Sequence, residues 1–126
     1  MHTHTLVWID HTEAKLFDIG PNNADTETIA EARQSHSHRR DNDHLGHAQD
    51  ANEQVFHAAI AKSLEGATGI LITGPGQART EFAHYLEAKA PAVSAKVWAV
   101  EPLDHLTDPQ LIAHGRSFFS KEERMH

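Results

Sequence analysis

At 126 residues, with 39% apolar and 23% charged side chains, the chain has the size and composition of one globular domain rather than a disordered polymer. Its formal net charge of -7 argues against indiscriminate nucleic-acid binding over the whole surface, although a local basic patch is still compatible with it. The absence of cysteine excludes a disulfide scaffold and thiolate chemistry; with no secretion-type leader and no apolar run of membrane-spanning length, the expected location is the cytoplasm and no membrane partner is expected.

Thr5 to Asp10, carrying Leu6, Val7, Trp8 and Ile9, reads as a buried strand. His11-Thr12-Glu13 is a compact turn, and a second strand follows from Lys15 to Ile19 until Gly20-Pro21-Asn22-Asn23 breaks it. A weaker strand from Thr26 to Ala32 alternates Thr28 and Ala30 with Glu27 and Glu31, the pattern of a sheet edge. These three strands are expected to form an antiparallel meander. Residues 33–49 lack hydrophobic periodicity and read as a long polar loop, a length usually associated with function or disorder.

From Asp50 the pattern is helical, with Val55, Ala59 and Ser63 sharing a face with Phe56, Ile60 and Leu64, and Gly66 as the stop. Gly69 to Thr73 lacks the polar alternation of a half-exposed strand and reads as a buried one. Gly74-Pro75-Gly76 breaks it, and a helix with Ala78, Phe82 and Leu86 in register runs towards Pro91. Lys96 to Val100 is a further strand. Asp108 is the expected cap of a last helix, Pro109 its first-turn residue, and Leu111, Ile112, Gly115 and Phe119 its sheet-facing side. Residues 120–126 form a charged tail.

The resulting order, β-β-β-α-β-α-β-α, predicts a single α/β domain over residues 1–119. Its five-stranded mixed sheet has the ribonuclease H-like arrangement, with helices packed on the faces. Hairpins pair the first three strands, and strand–helix–strand crossovers make the later ones parallel to the first.

Two constellations stand out. The loop Ser35-His36-Ser37-His38-Arg39-Arg40-Asp41-Asn42-Asp43-His44-Leu45-Gly46-His47 places two permanent positive charges among imidazoles that stack on bases and donate to phosphates. His36, His38, Arg39, Arg40, His44 and His47 are therefore the candidate RNA-binding residues, set against the reading that Asp41 and Asp43 leave an ordinary solvated loop. The same histidines offer nitrogen ligands, but their spacing matches no zinc finger, and no metal or other cofactor is assigned. The second constellation is the strand-to-helix turn. Unpaired N–H groups there, with Gly74, Gly76, Gln77 and Arg79, make a candidate anion site; the competing reading is that the glycines serve only a tight turn.

A metal-dependent nuclease is the sharper chemical alternative. It would use Asp10 at the end of the opening strand with Glu53 or Glu65, but Thr73 and Gly74 occupy the place where another carboxylate belongs. Asp10 reads instead as the head of an Asx turn into Thr12, and no catalytic residue is assigned. Trp8 and Trp98 read as core, and His57, His84 and His114 as exposed helix positions.

The element order, with Val7-Trp8-Ile9-Asp10-His11-Thr12-Glu13-Ala14-Lys15-Leu16 and Thr73-Gly74-Pro75-Gly76-Gln77-Ala78-Arg79-Thr80-Glu81-Phe82, resembles the central domain of eukaryotic and archaeal class I peptide-release factors and of Pelota. It is similar also to short bacterial relatives labelled translational machinery proteins. The resemblance covers about Thr5 to Phe119. It implies that the His/Arg-rich loop reaches ribosomal RNA or the acceptor end of tRNA. The loop lacks the Gly-Gly-Gln of factors that hydrolyse peptidyl-tRNA, and nothing corresponds to their flanking domains, so peptide release is not expected. The expected function is that of a non-catalytic translation-associated protein binding the ribosome or tRNA. Besides the nuclease, the alternative is a stand-alone interaction module forming homo-oligomers through its edge strand.

Overall fold

Leu6, Val7, Trp8 and Ile9 are all buried, which requires their strand to have structure on both faces. That strand, β1 (His4–Ile9), is the middle of a five-stranded sheet in the computed structural model, which describes residues 4–20, 24–30 and 45–123, the side chains of 45–51 and 123 excepted. β2 (Glu13–Ile19) and β3 (Ala24–Ala30) continue the sheet on one side by antiparallel pairing; β4 (Gly69–Gly74) and β5 (Val97–Pro102) extend it on the other by parallel pairing. The order is β3-β2-β1-β4-β5, the mixed sheet expected from the sequence of elements.

The helices divide between the faces. α1 (Leu45–Ser63), α2 (Ala78–Lys89) and the single turn α3 (Pro91–Ser94) lie on one side. There Phe56, Ile60, Leu64, Phe82, Leu86 and Val93 pack with Val7, Ile9, Leu16, Ile70 and Ile72. α4 (Asp108–Glu123) covers the other side, where Leu111 and Phe119 meet Leu6, Trp8, Phe17, Ile19 and Leu71. The period-2 alternation of the strands sends neighbouring residues into opposite layers. Each fully buried Leu, Ile or Phe contributes about 1.5–3 kcal/mol relative to exposure.

Gly115 sets how closely α4 approaches: a Cβ there would stand 2.3 Å from Ile19 Cδ1 and 3.2 Å from Leu6 Cδ1. The four residues expected to face the sheet from this helix do so, with Leu111, Gly115 and Phe119 buried and Ile112 half-buried.

Several boundaries and one helix face differ from the expectation. β3 begins at Ala24, two residues before the expected start, with Ile19↔Ala24 as a pair of its register with β2; Glu31 and Ala32 of the expected strand lie outside the described residues. α1 begins at Leu45, inside the segment read as loop, and α4 continues to Glu123, taking in the start of the expected tail. The inner face of α1 is formed by Phe56, His57, Ile60, Ala61 and Leu64, whereas Val55 is 61% exposed and Ala59 and Ser63 point outward. His57 is thus buried rather than exposed; His84 is exposed and His114 half-buried. Pro91 ends α2, as a residue without an N–H should, but it also opens α3.

The cap of α4 is Thr107, not Asp108. Gln110 N–H donates to the Thr107 hydroxyl at 3.3 Å, and Thr107 N–H donates to the Gln110 side-chain oxygen at 2.9 Å. This reciprocal pair satisfies two donors at the helix start. Asp108 instead receives Lys15 Nζ at 3.0 Å, tying the helix start to β2.

Candidate functional site

In open sheets with parallel strands, ligands bind beyond the carboxyl ends of those strands, where connections leave for opposite faces. Here β4 passes to α2 on one face and β5 to α4 on the other, and the ends of β1, β4 and β5 lie side by side. Three loops meet at this rim: Asp10-His11-Thr12 after β1, Gly74 to Gln77 after β4, and 103–107 after β5.

Asp10 is fixed as an Asx turn, as expected. Its Oδ1 accepts the Thr12 N–H at 2.8 Å, the Glu13 N–H at 2.9 Å and the Thr12 hydroxyl at 3.0 Å. Its own N–H donates to the Glu13 carbonyl at 3.0 Å, closing the β1–β2 hairpin. Partial burial alone would push the Asp10 carboxyl up. The Thr12 and Glu13 hydrogen bonds and the nearby His105 outweigh it, so the acid lies below its ordinary value.

The second oxygen, Oδ2, faces His105 Nε2 at 3.8 Å, and the His105 ring stands edge-on to Trp8 at 4.7 Å. Trp8 Nε1 in turn donates to the Asp104 carbonyl at 3.1 Å, holding the 103–107 loop over the sheet. Trp8 is buried, as the sequence indicates, and its indole N–H has found the partner that a buried indole requires. On the other side of the rim, His11 Nε2 meets Glu81 Oε1 of α2 at 3.2 Å, with both side chains largely solvated.

The glycine turn is shaped by the approach of β1. Gly74 has φ +147°, and a Cβ on it would lie 2.1 Å from the Ile9 carbonyl oxygen; Gly76 has φ +64°. Arg79 directs its guanidinium back to the turn, donating to the carbonyls of Gly74, at 3.1 Å, and Gly76. Gly74 O also receives the Leu103 N–H at 3.1 Å, which joins the β4 and β5 loops. Gln77 precedes α2 without a side-chain cap bond, and Glu81 lies in the first turn. The guanidinium offered for an anion is therefore bonded to the turn itself.

The carboxylates of the nuclease reading are not gathered. Glu53 lies on α1 and Glu65 just beyond it, and among the described residues no group of three His, Asp or Glu is placed to hold a metal ion. Thr73, across from Trp8 in the parallel pair, is fully buried and donates its hydroxyl to the Val7 carbonyl at 2.7 Å. His36, His38, Arg39, Arg40 and His44 lie outside the described residues, and His47 is described only as backbone within α1.

His105 and the His11–Glu81 pair have no local signature in the sequence, since loop residues are brought together there by sheet order. Asp10, through the Asp-x-Thr spacing, and the Gly74-Pro75-Gly76 turn were readable there.

The sequence matches no protein-family model and no curated protein. Its fold does match solved structures. Pelota from Thermoplasma acidophilum superposes with a TM-score of 0.62 at 21% identity, covering 94% of this chain and 32% of that one. The archaeal translation termination factor aRF1 gives 0.61 at 9% identity, covering 96% and 40%. Dom34 of S. cerevisiae, a translation termination-like factor involved in RNA quality control pathways and interacting with Hbs1, gives 0.51 at 12% identity, covering 97% and 38%. The chain therefore spans well under half the length of these proteins, and it has the fold of one part of them, as the resemblance implied.

Proposed function

We propose that the chain is a translation-associated module that binds the ribosome or tRNA, with His36, His38, Arg39, Arg40, His44 and His47 making phosphate and base contacts and no peptide-release chemistry. The likeness supporting this reading extends over 94% of the chain to Pelota, and over 96% and 97% to aRF1, a translation termination factor, and Dom34, a translation termination-like factor. The sequence adds adjacent guanidinium groups among imidazoles in one segment, within a chain whose net charge is otherwise negative. The absence of Gly-Gly-Gln from that segment supports the non-catalytic part of the reading.

Ribosome co-sedimentation across a salt series tests it. Phosphate-directed binding weakens linearly in log–log form, and each cationic contact to single-stranded nucleic acid contributes about -0.7 to the slope. Replacing Arg39 and Arg40 by Ala is expected to flatten the slope by about 1.4, and replacing the four histidines as well to remove the pelleted fraction. Pelleting indifferent to both salt and these substitutions would overturn the reading.

A further inference from the structure

His57 is the only ionisable side chain among the buried described residues, 5% exposed on the inner face of α1. Aromatic rings surround it: Phe56 of the same helix at 5.8 Å, and Phe82 and Tyr85 of α2, each at 5.3 Å, with Tyr85 edge-on. Among the described residues no hydrogen-bond partner meets its ring nitrogens. A neutral imidazole fits such a site as a flat, weakly polar ring. An imidazolium does not, because it carries a charge and two donors into a place that solvates neither.

We infer that His57 is an acid-sensitive latch between α1 and α2, whose protonation undocks α1 from the sheet's helical face while the sheet and α4 stay folded. The asymmetry follows from where the contacts lie. The α1 residues that anchor it, Phe56, His57, Ile60, Ala61 and Leu64, form one stripe, and the cage closes between two helices rather than within the sheet. β1, β2 and β4 keep their pairing and their packing against α4 when that stripe lifts.

The charged surroundings set the direction. Burial, the largest influence, pushes the His57 imidazole from 6.5 down to about 4. Glu81 of α2 favours the charged form, and His11 of the β1–β2 turn opposes it; these two are themselves paired at 3.2 Å. On α1, Glu53 lies one turn before His57. Because the docked state depresses the proton affinity of this group, docking is fully favoured above 6.5. It weakens as the pH falls from 6.5 to about 4, and changes no further below that. The opening equilibrium rises about tenfold per pH unit across this window, about 300-fold in total.

The inference does not rest on ribosome binding. Hydrogen exchange of the full chain between pH 7 and 4, corrected for the intrinsic rate, tests it. α1 amides are expected to lose protection about tenfold per unit below 6.5 while those of β1 and β4 hold theirs, and His57→Phe to remove the dependence. A proton NMR titration of the wild-type imidazole gives the same test without a variant, with His57 expected to remain neutral until about pH 4. An α1 signal independent of pH, loss of protection in β1 and β4 in step with α1, a pH dependence that survives in His57→Phe, or titration near 6.5 would each overturn it.

Discussion

Replacing Gly74 by alanine puts a side chain where two strands and a loop converge. The residue has φ +147°, and the new Cβ would lie 2.1 Å from the Ile9 carbonyl oxygen and 3.1 Å from its carbon. Those are backbone atoms in the central strand, so they cannot swing away as a side-chain tip can. Backbone strain at such a φ costs about 1–3 kcal/mol, and displacing packed structure costs about 1–3 more. The expected loss is therefore about 2–6 kcal/mol, a large share of the roughly 5–15 kcal/mol that holds a domain together. Unfolding entropy near 2.1 cal/mol/K per residue makes each kcal/mol worth about 4 °C in a chain of this length, so the melting temperature should drop by about 8–23 °C. Two controls isolate the cause. Gly76→Ala has φ +64° but nothing within 4 Å, and should cost only the conformational term of about 1–2 kcal/mol. Gly66→Ala has open space and no positive φ; it should be neutral or stabilising by up to about 1 kcal/mol. Urea unfolding of the three variants at equal m-value measures the series. If Gly74→Ala unfolds within 1 kcal/mol of Gly66→Ala, taking about 1 kcal/mol as one mild substitution, the close approach of β1 to the turn is wrong.

Asp10→Ala removes the acceptor of three hydrogen bonds and should cost about 1–3 kcal/mol at pH 7 by urea unfolding. Because the folded state lowers this acid's affinity for protons, its contribution is whole above the ordinary 3.8 and disappears as the pH falls through the lowered value; the gap between wild type and variant should therefore close only in strong acid. Thr107→Ala should destabilise the start of α4 by about 1 kcal/mol in thermal melts, with Thr107→Ser close to wild type. Ile60→Ala should cost about 2–5 kcal/mol, whereas Val55→Ala on the same helix should stay within about 0.5, a contrast measurable in chemical denaturation.

The sheet could be read in advance because its strands carry one-sided or continuous apolar runs that have few other uses. Ile70 to Ile72 admits little besides a buried strand, and the hairpin through Asp10 is signalled by a carboxylate two residues before a threonine. α1 was harder. Its alanines at 58, 59 and 61 leave the inner face undecided, and a histidine supplies part of that face, so periodicity pointed to Val55 where the fold uses His57. Its start carries Leu45, His47 and Gln49 with no repeating stripe, which hid a full turn of helix. At α4, Asp108 has the chemistry of a cap, but the reciprocal spacing Thr107-x-x-Gln110 takes that role and leaves the carboxylate to Lys15. The rim at the carboxyl ends was legible at Asp10 and at the glycine turn after β4, but not at His105, which reaches Asp10 from 95 positions away through a strand order that local patterns do not encode.

The central place of β1 also has a cost in time. Thr73 meets Val7 across 66 positions of sequence, so one side of the most apolar strand stays bare until the chain has grown that much further. At about 5–20 residues per second, synthesis leaves it uncovered for about 3–13 seconds after it emerges. A bare apolar strand edge is a template for mispairing. For that interval the nascent chain carries an unpaired apolar edge that β4 covers in the finished sheet.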